Sequence, residues 1–291
     1  MELPQRFSEY FQLTNSYLDE LLPPDETPPQ PIFRAMRYSL FAGGKRLRSI
    51  LCLAAAESLG AKAETLLPVA AAIEMLHTYS LVHDDLPCMD DDDFRRGKPT
   101  NHKVFGEAIA VLTGDALLTN SMEQLATAPY EAEIRCRLIA ELTRAAGTRG
   151  MIGGQILDIL SDSKQLTRVE LEKLQGMKTA ALIGFSAVAP AIVLRSGRQM
   201  ERLFSQYGEA LGLAFQIVDD LLDVEGKTEV IGKTAGKDRK QNKTTYASLI
   251  GLKESRELAS DLVSTAVEMI QPHDPHSYMT ALAQYVLHRD R

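Results

Sequence analysis

Three observations predict an all-α fold for this 291-residue chain. Apolar residues recur at helical spacing almost throughout. Runs of strict alternation rich in β-branched residues are missing, and proline and glycine clusters punctuate the chain where helices should end. A chain of this length can bury a sizeable core, and no linker-like stretch divides it, so residues 1–291 are expected to form one domain.

The elements follow in order. A first helix is expected over Glu2 to Leu22, stopped by Pro23-Pro24, and Pro28-Pro29 precede a second over Pro31 to Ala42. Gly43-Gly44 break the chain before a third over Leu47 to Leu59, and an apolar helix over Leu66 to Asp85 ends in carboxylates. Glu107 to Ala128, Tyr130 to Ala146, Gly150 to Ser161 and Thr167 to Gln175 come next. Lys178 to Leu194 contains the longest uncharged stretch, which at about fifteen residues with Pro190 inside falls short of the roughly 20 that a bilayer span needs. It reads as a buried core helix. Gln199 to Val224 ends in a second acidic cluster, Gly226 and Gly232 interrupt the chain, and helices over Thr244 to Ile270 and Ser277 to Leu287 complete it.

Composition narrows the partners. With 39 acidic against 32 basic residues and a net charge of -7, a nucleic-acid surface is not expected, because phosphate backbones demand clustered positive charge. Small molecules are the expected partners. The three cysteines, Cys52, Cys88 and Cys136, are far apart and form no Cys-x-x-Cys pair, which fits reduced thiols better than disulfides or zinc. The start, Met1-Glu2-Leu3-Pro4, lacks the cationic and apolar runs of a secretory signal, so a cytoplasmic location is expected.

The loudest signal is His83-Asp84-Asp85-Leu86-Pro87-Cys88-Met89-Asp90-Asp91-Asp92-Asp93-Phe94-Arg95-Arg96-Gly97. Carboxylates at a helix's last turn oppose the macrodipole and repel one another, at a cost of a few tenths to about 1 kcal/mol unless a cation binds. Magnesium takes oxygen ligands and uses one or two carboxylates together with water and phosphate oxygens, so an Asp-rich cleft suits it. Arginine forks just behind, at Arg95 and Arg96, suit phosphate. A second cluster, Gln216-Ile217-Val218-Asp219-Asp220-Leu221-Leu222-Asp223, sets Asp219 and Asp223 on one face of an apolar helix, where unpaired charge is costly and a metal would satisfy it.

Taken together, these clusters and the segment Gly43-Gly44-Lys45-Arg46-Leu47-Arg48 resemble the trans-isoprenyl diphosphate synthase family, most closely its bacterial-type farnesyl synthases. The resemblance runs over nearly the whole chain and implies the isoprenoid synthase fold, a helical bundle around an elongated substrate cavity. It also implies that Asp84, Asp85, Asp90, Asp219, Asp220 and Asp223 hold magnesium, three ions per site, against an allylic diphosphate. Arg95, Lys178, Thr179, Gln216, Lys233 and Lys243 match the family's contacts to that substrate. Lys45, Arg48, His77 and Arg96 match those to isopentenyl diphosphate, and Gln155 and Asp158 match a motif near the cavity. A homodimer is the family's usual assembly.

The implied reaction joins dimethylallyl or geranyl diphosphate to isopentenyl diphosphate head to tail. Its catalysis is electrostatic and needs no protein nucleophile, which agrees with the missing Gly-x-Ser-x-Gly elbow and Cys/His pair. By the same resemblance, Tyr79 and Ser80, five and four residues before Asp84, form the floor of the chain pocket and favour the fifteen-carbon product. Two other readings compete. A geranylgeranyl diphosphate synthase differs only in chain length, and His83-Asp84 also suits a His-Asp metal-dependent phosphohydrolase, although that reading leaves Asp219, Asp220 and Asp223 without a role.

Overall fold

The computed structural model describes residues 4–161, 164–225 and 244–289. Helices α1 (Gln5–Leu21), α2 (Gln30–Leu40) and α3 (Leu47–Ser58) lead through a 3₁₀ turn (Ala63–Leu66) into α4 (Leu67–Asp84). After the first acidic loop and a small ribbon come α5 (Asn101–Phe105), α6 (Glu107–Thr127), α7 (Ala132–Ala146), α8 (Met151–Ser161) and α9 (Arg168–Gln175). The chain then runs through a π turn (Gly176–Ala180) into α10 (Ala181–Val193), followed by α11 (Arg198–Glu225), α12 (Tyr246–Ile270) and α13 (Tyr278–His288).

The sequence says which helices lie inside. α3 is buried without a break from Ser49 to Ala56, α4 from Pro68 to Leu76, and α10 is buried over ten of its residues. A helix apolar on all sides has no solvent face and must sit in a core. α4 accordingly packs on α3 and α6, and α10 on α3, α7 and α11, while α12 covers α11 from outside. Each fully buried side chain here, such as Leu53, Ile73 or Ile183, contributes about 1.5–3 kcal/mol.

Four features depart from the expected pattern, each for a local reason. Phe94–Arg95 and Lys98–Pro99 pair as a two-residue antiparallel ribbon. Its turn residues Arg96 and Gly97 both have positive φ, 53° and 74°, as a tight two-residue hairpin of right-handed twist requires. Strands this short show no period. The expected break between Gln175 and Lys178 is absent, because Gly176 keeps helical angles (φ -56°, ψ -45°) and the chain takes a π turn instead of stopping. Gly251, at φ 84°, kinks α12 where an unbroken helix was expected. Finally, the runs Ala63–Asp84 and Arg168–Val193 are long and apolar enough by composition to cross a membrane, the second because the π turn joins α9 to α10. Yet 72% of each apolar window is buried inside the protein.

Candidate active site

The first acidic cluster is built by the end of α4. Asp84 is its last residue and Asp85 its C-cap. The chain then folds back, so that Asp90 N–H donates to the Asp84 carbonyl (2.9 Å) and Asp92 N–H to the Asp85 carbonyl (3.3 Å), satisfying acceptors that a helix end leaves open. The two side chains separate. Asp84 is half-buried, and its Oδ1 accepts from Gln155 Nε2 on α8 at 2.6 Å. Asp85 is 3% exposed, and its Oδ1 accepts from Arg95 Nε at 2.7 Å. Burial pushes the Asp84 carboxyl above its ordinary range, with Lys178 pulling it down and Asp90 pushing it up. Burial also raises Asp85, against the pull of Arg95.

Beside this cluster lies a cationic shelf. The tight ribbon turn aims Arg96 at the loop before α3, where its guanidinium donates to the Gly43 carbonyl. Gly44 makes room for it: a Cβ there would lie 2.5 Å from Arg96 Cζ, and Gly44 itself has φ 107°. Arg48 Nη1 stands 3.3 Å from His77 Nε2. Burial, and then the fields of Arg48, Arg96, Arg95 and Arg46, drive the His77 imidazole well below its usual range, so it is neutral and accepts from Arg48. Burial likewise lowers Arg48 to about 10, opposed by Glu74. The buried Arg48 Nε has no hydrogen-bond partner among the described residues. Guanidiniums gathered round a neutral imidazole, with a donor left over, make a receptor for an anion. Arg46 serves the scaffold instead, bonding Glu74 at 2.9 Å with both side chains buried. Lys45 is exposed, its Nζ 5.2 Å from the centre of the Tyr285 ring.

The second cluster lies near the end of α11 and divides in the same way. Asp220 is 3% exposed; it accepts from Gln216 Nε2 at 3.0 Å and from Tyr246 N–H at 3.0 Å, so it ties α11 to the first residue of α12. Asp219 is half-buried, and its Oδ1 accepts from Arg289 Nη2 at 2.7 Å. Asp223, one turn on, is also half-buried. Lys233 and Lys243 lie outside the described residues.

The π turn joins the clusters. Its Lys178 pairs with Asp158 on α8 and acts on Asp84, while Thr179 Oγ1 donates to Gln216 Oε1 at 3.1 Å, one turn before Asp220. Gly154 on α8 lets this turn approach, since a Cβ there would overlap the Lys178 backbone. Across the gap, Asp219 acts on Arg48. π turns widen a helix and alter where side chains point, and they recur at functional sites.

Of the two residues expected to set chain length, Tyr79 is 6% exposed, and Ser80 is half-buried with its Oγ donating to the His77 carbonyl at 2.8 Å. One site residue carried no signal in the sequence. Arg289 is buried, stacks 3.6 Å from the Phe215 ring centre, and donates to the Phe215 carbonyl as well as to Asp219. A basic residue just past the last helix is ordinary, and only packing reveals this one.

No three His, Cys, Asp or Glu side chains among the described residues form a ready metal cage. The donors nevertheless fit magnesium: they are carboxylate oxygens, and this ion takes few protein ligands and fills its shell with water and phosphate. Asp84, held at the cleft with Asp90 acting on it, is the kind of group that a hard cation relieves.

A polyprenyl synthetase family model matches residues 29–284. The chloroplastic heterodimeric geranylgeranyl pyrophosphate synthase large subunit 1 of Arabidopsis thaliana is 48% identical over 288 residues, 96% of this chain and 77% of that protein. The farnesyl diphosphate synthase of Bacillus subtilis is 48% identical over 231 residues, 78% of each chain. Among solved structures, a Helicobacter pylori geranyltransferase complexed with magnesium and isoprenyl diphosphate superposes with a TM-score of 0.82 at 31% identity, covering 99% of this chain and 97% of that one. With the family model spanning most of its length and such relatives on either side, the chain belongs to the polyprenyl synthetase family of trans-prenyl chain-elongating transferases.

Proposed function

We propose that this transferase condenses dimethylallyl or geranyl diphosphate with isopentenyl diphosphate and releases farnesyl diphosphate. What supports the reading is the junction at the π turn, where Lys178 acts on the first acidic cluster and Thr179 is tied to the second. Asp84 and Asp90 on one side, with Asp219 and Asp223 on the other, would hold magnesium, three ions in all. Bound there, magnesium supplies positive charge to the leaving diphosphate. Asp85 and Asp220 sit behind them as buried struts, and Arg95 adds fixed positive charge.

The allylic carbon–oxygen bond breaks, the isopentenyl double bond attacks the resulting cation, and the departing diphosphate takes the proton. Lys178 and Thr179 lie beside the cationic carbon. Arg48, Arg96 and the neutral His77 hold the isopentenyl diphosphate, with Lys45 at its rim. Gln216 orients Thr179, and Lys233 and Lys243 add contacts to the allylic diphosphate. A dry cavity matters because water quenches the cation.

The protein is proposed to act as a homodimer through α6, where Val111 and Leu112 are exposed. Free thiols at Cys52, Cys88 and Cys136 fit a cytoplasmic setting. Incubation with both diphosphates and magnesium tests the whole reading, and a C15 diphosphate is expected. A C20 product would favour the geranylgeranyl reading, which the Arabidopsis relative keeps in view. Release of phosphate without condensation would point to hydrolysis. Tyr79→Ala is expected to carry products beyond C15, and an unchanged spectrum would remove Tyr79 from the pocket floor.

A further inference from the structure

His83 directly precedes the first acidic cluster, yet the reaction gives it no task. On α4 it lies one turn after Tyr79, and the two rings meet edge to face, with centroids 5.7 Å apart and planes at 86°. Its imidazole crosses to α6, where Nε2 is 2.9 Å from the Val111 carbonyl; because that atom only accepts, Nε2 carries the proton and donates. The ring lies in a notch made by Gly114, where any Cβ would overlap the imidazole. Tyr79 therefore rests on a ring that is hydrogen-bonded to the neighbouring helix and seated in a glycine groove. No protein hydrogen bond holds the Tyr79 hydroxyl among the described residues, so packing alone sets the height of its ring.

We propose that His83 is a positioning residue for product length: by bridging α4 to α6 through Val111 and Gly114, it holds the Tyr79 ring across the pocket where chain growth ends. The inference rests on the reading of Tyr79 as the pocket floor, and it adds the group that keeps that ring from swinging aside. Without the imidazole, the Tyr79 ring can turn sideways into the groove at Gly114 on α6, and the floor opens.

The test measures the C20-to-C15 product ratio with geranyl and isopentenyl diphosphates for wild type, His83→Ala, Tyr79→Ala and the double variant. His83→Ala is expected to raise the ratio by about two- to tenfold, the range that loss of the one hydrogen bond to the Val111 carbonyl supports. It should leave the KM for isopentenyl diphosphate unchanged. Since His83 acts through Tyr79, adding His83→Ala to Tyr79→Ala should raise the ratio no further. His83→Gln, which can place an amide N–H near the same carbonyl, should stay near wild type, whereas His83→Leu, which fills space without donating, should not. That pair carries the test should the alanine variant fail to fold. Lengthening by Tyr79→Ala with no change in His83→Ala or His83→Leu overturns the role of His83 and leaves the proposed function standing. Full additivity in the double variant overturns it too. Failure of Tyr79→Ala itself would strike the floor reading instead.

Discussion

The two acidic clusters are spelled alike and built alike, but they are anchored differently. In each, the first aspartate of the pair stands at the cleft and the second is buried at 3% exposure, because neighbours on a helix point about 100° apart and only one of them can face the gap. Asp85 accepts from the Arg95 guanidinium, and Asp220 accepts from the Gln216 amide and the Tyr246 N–H. At the cleft, Asp84 accepts from the neutral Gln155 with the Lys178 cation acting on it through space, while Asp219 accepts directly from the cation Arg289. A repeated motif therefore fixes which pairs exist, while tertiary packing decides which oxygens remain for a ligand.

The largest test separates cleft from anchor. Asp84→Ala and Asp219→Ala are each expected to lower kcat by orders of magnitude at saturating magnesium while the far-ultraviolet circular dichroism stays helical, since both remove charge that matters most as the diphosphate leaves. Near-normal turnover in either variant would take that aspartate out of the metal set. The anchors should show the opposite balance between activity and stability. Asp85→Asn leaves the Arg95 guanidinium with only the more distant Asp92 carboxylate, 3.7 Å away, and is expected to cost about 3 kcal/mol, the low end for a broken buried pair because Arg95 is partly exposed and keeps that partner. Asp220→Asn keeps an oxygen for the Tyr246 N–H, and the Gln216 amide can turn to match the new donor, so about 1 kcal/mol is expected from these two bonds. Thermal unfolding without metal should rank wild type above Asp220→Asn above Asp85→Asn. The reverse order would show that the Arg95–Asp85 pair contributes less than the bonds at Asp220.

Much of this was legible in the residues. α3, α4, α10 and α11 carry long apolar periods, and their existence follows from spacing alone. Both clusters stood out because carboxylates at short spacing in or just after an apolar helix need a reason. The unequal roles of Asp219 and Asp220 were not legible, because a one-residue step decides them only after α12 docks on α11. Nor was the π turn, for Gly176 reads locally as a stop and continues only because Thr179 reaches Gln216 and Gly154 admits the Lys178 backbone. The ribbon at Arg95 was too short for its pairing to show, yet it is what aims Arg95 and Arg96 in opposite directions, one to Asp85 and the other to Gly43. Arg289 is farther still from any motif. Its place depends on α13 crossing α11, a contact between segments 70 residues apart in the chain.

That arginine gives the smallest and most discriminating test of the contrast. Arg289 donates to Asp219, one of the proposed magnesium ligands, so on that proposal it and a metal ion would compete for Asp219 in the free protein. Its guanidinium also stacks on Phe215 and bonds the Phe215 carbonyl, which makes it part of the wall and limits how far it can withdraw. Asp219 is partly open to solvent, so the pair is worth little, and Arg289→Gln should tighten manganese binding in the absence of substrate by only about two- to fivefold. Titration calorimetry or manganese electron paramagnetic resonance reads that change without turnover. Gln155→Leu at the other cluster is the matched control: it removes a neutral donor and should leave metal affinity within about twofold or weaken it. If both variants move affinity alike, the cation at Asp219 is incidental and the clusters are equivalent in the free protein. If only Arg289→Gln tightens binding, the second cluster is the one that the protein itself holds in check until substrate arrives.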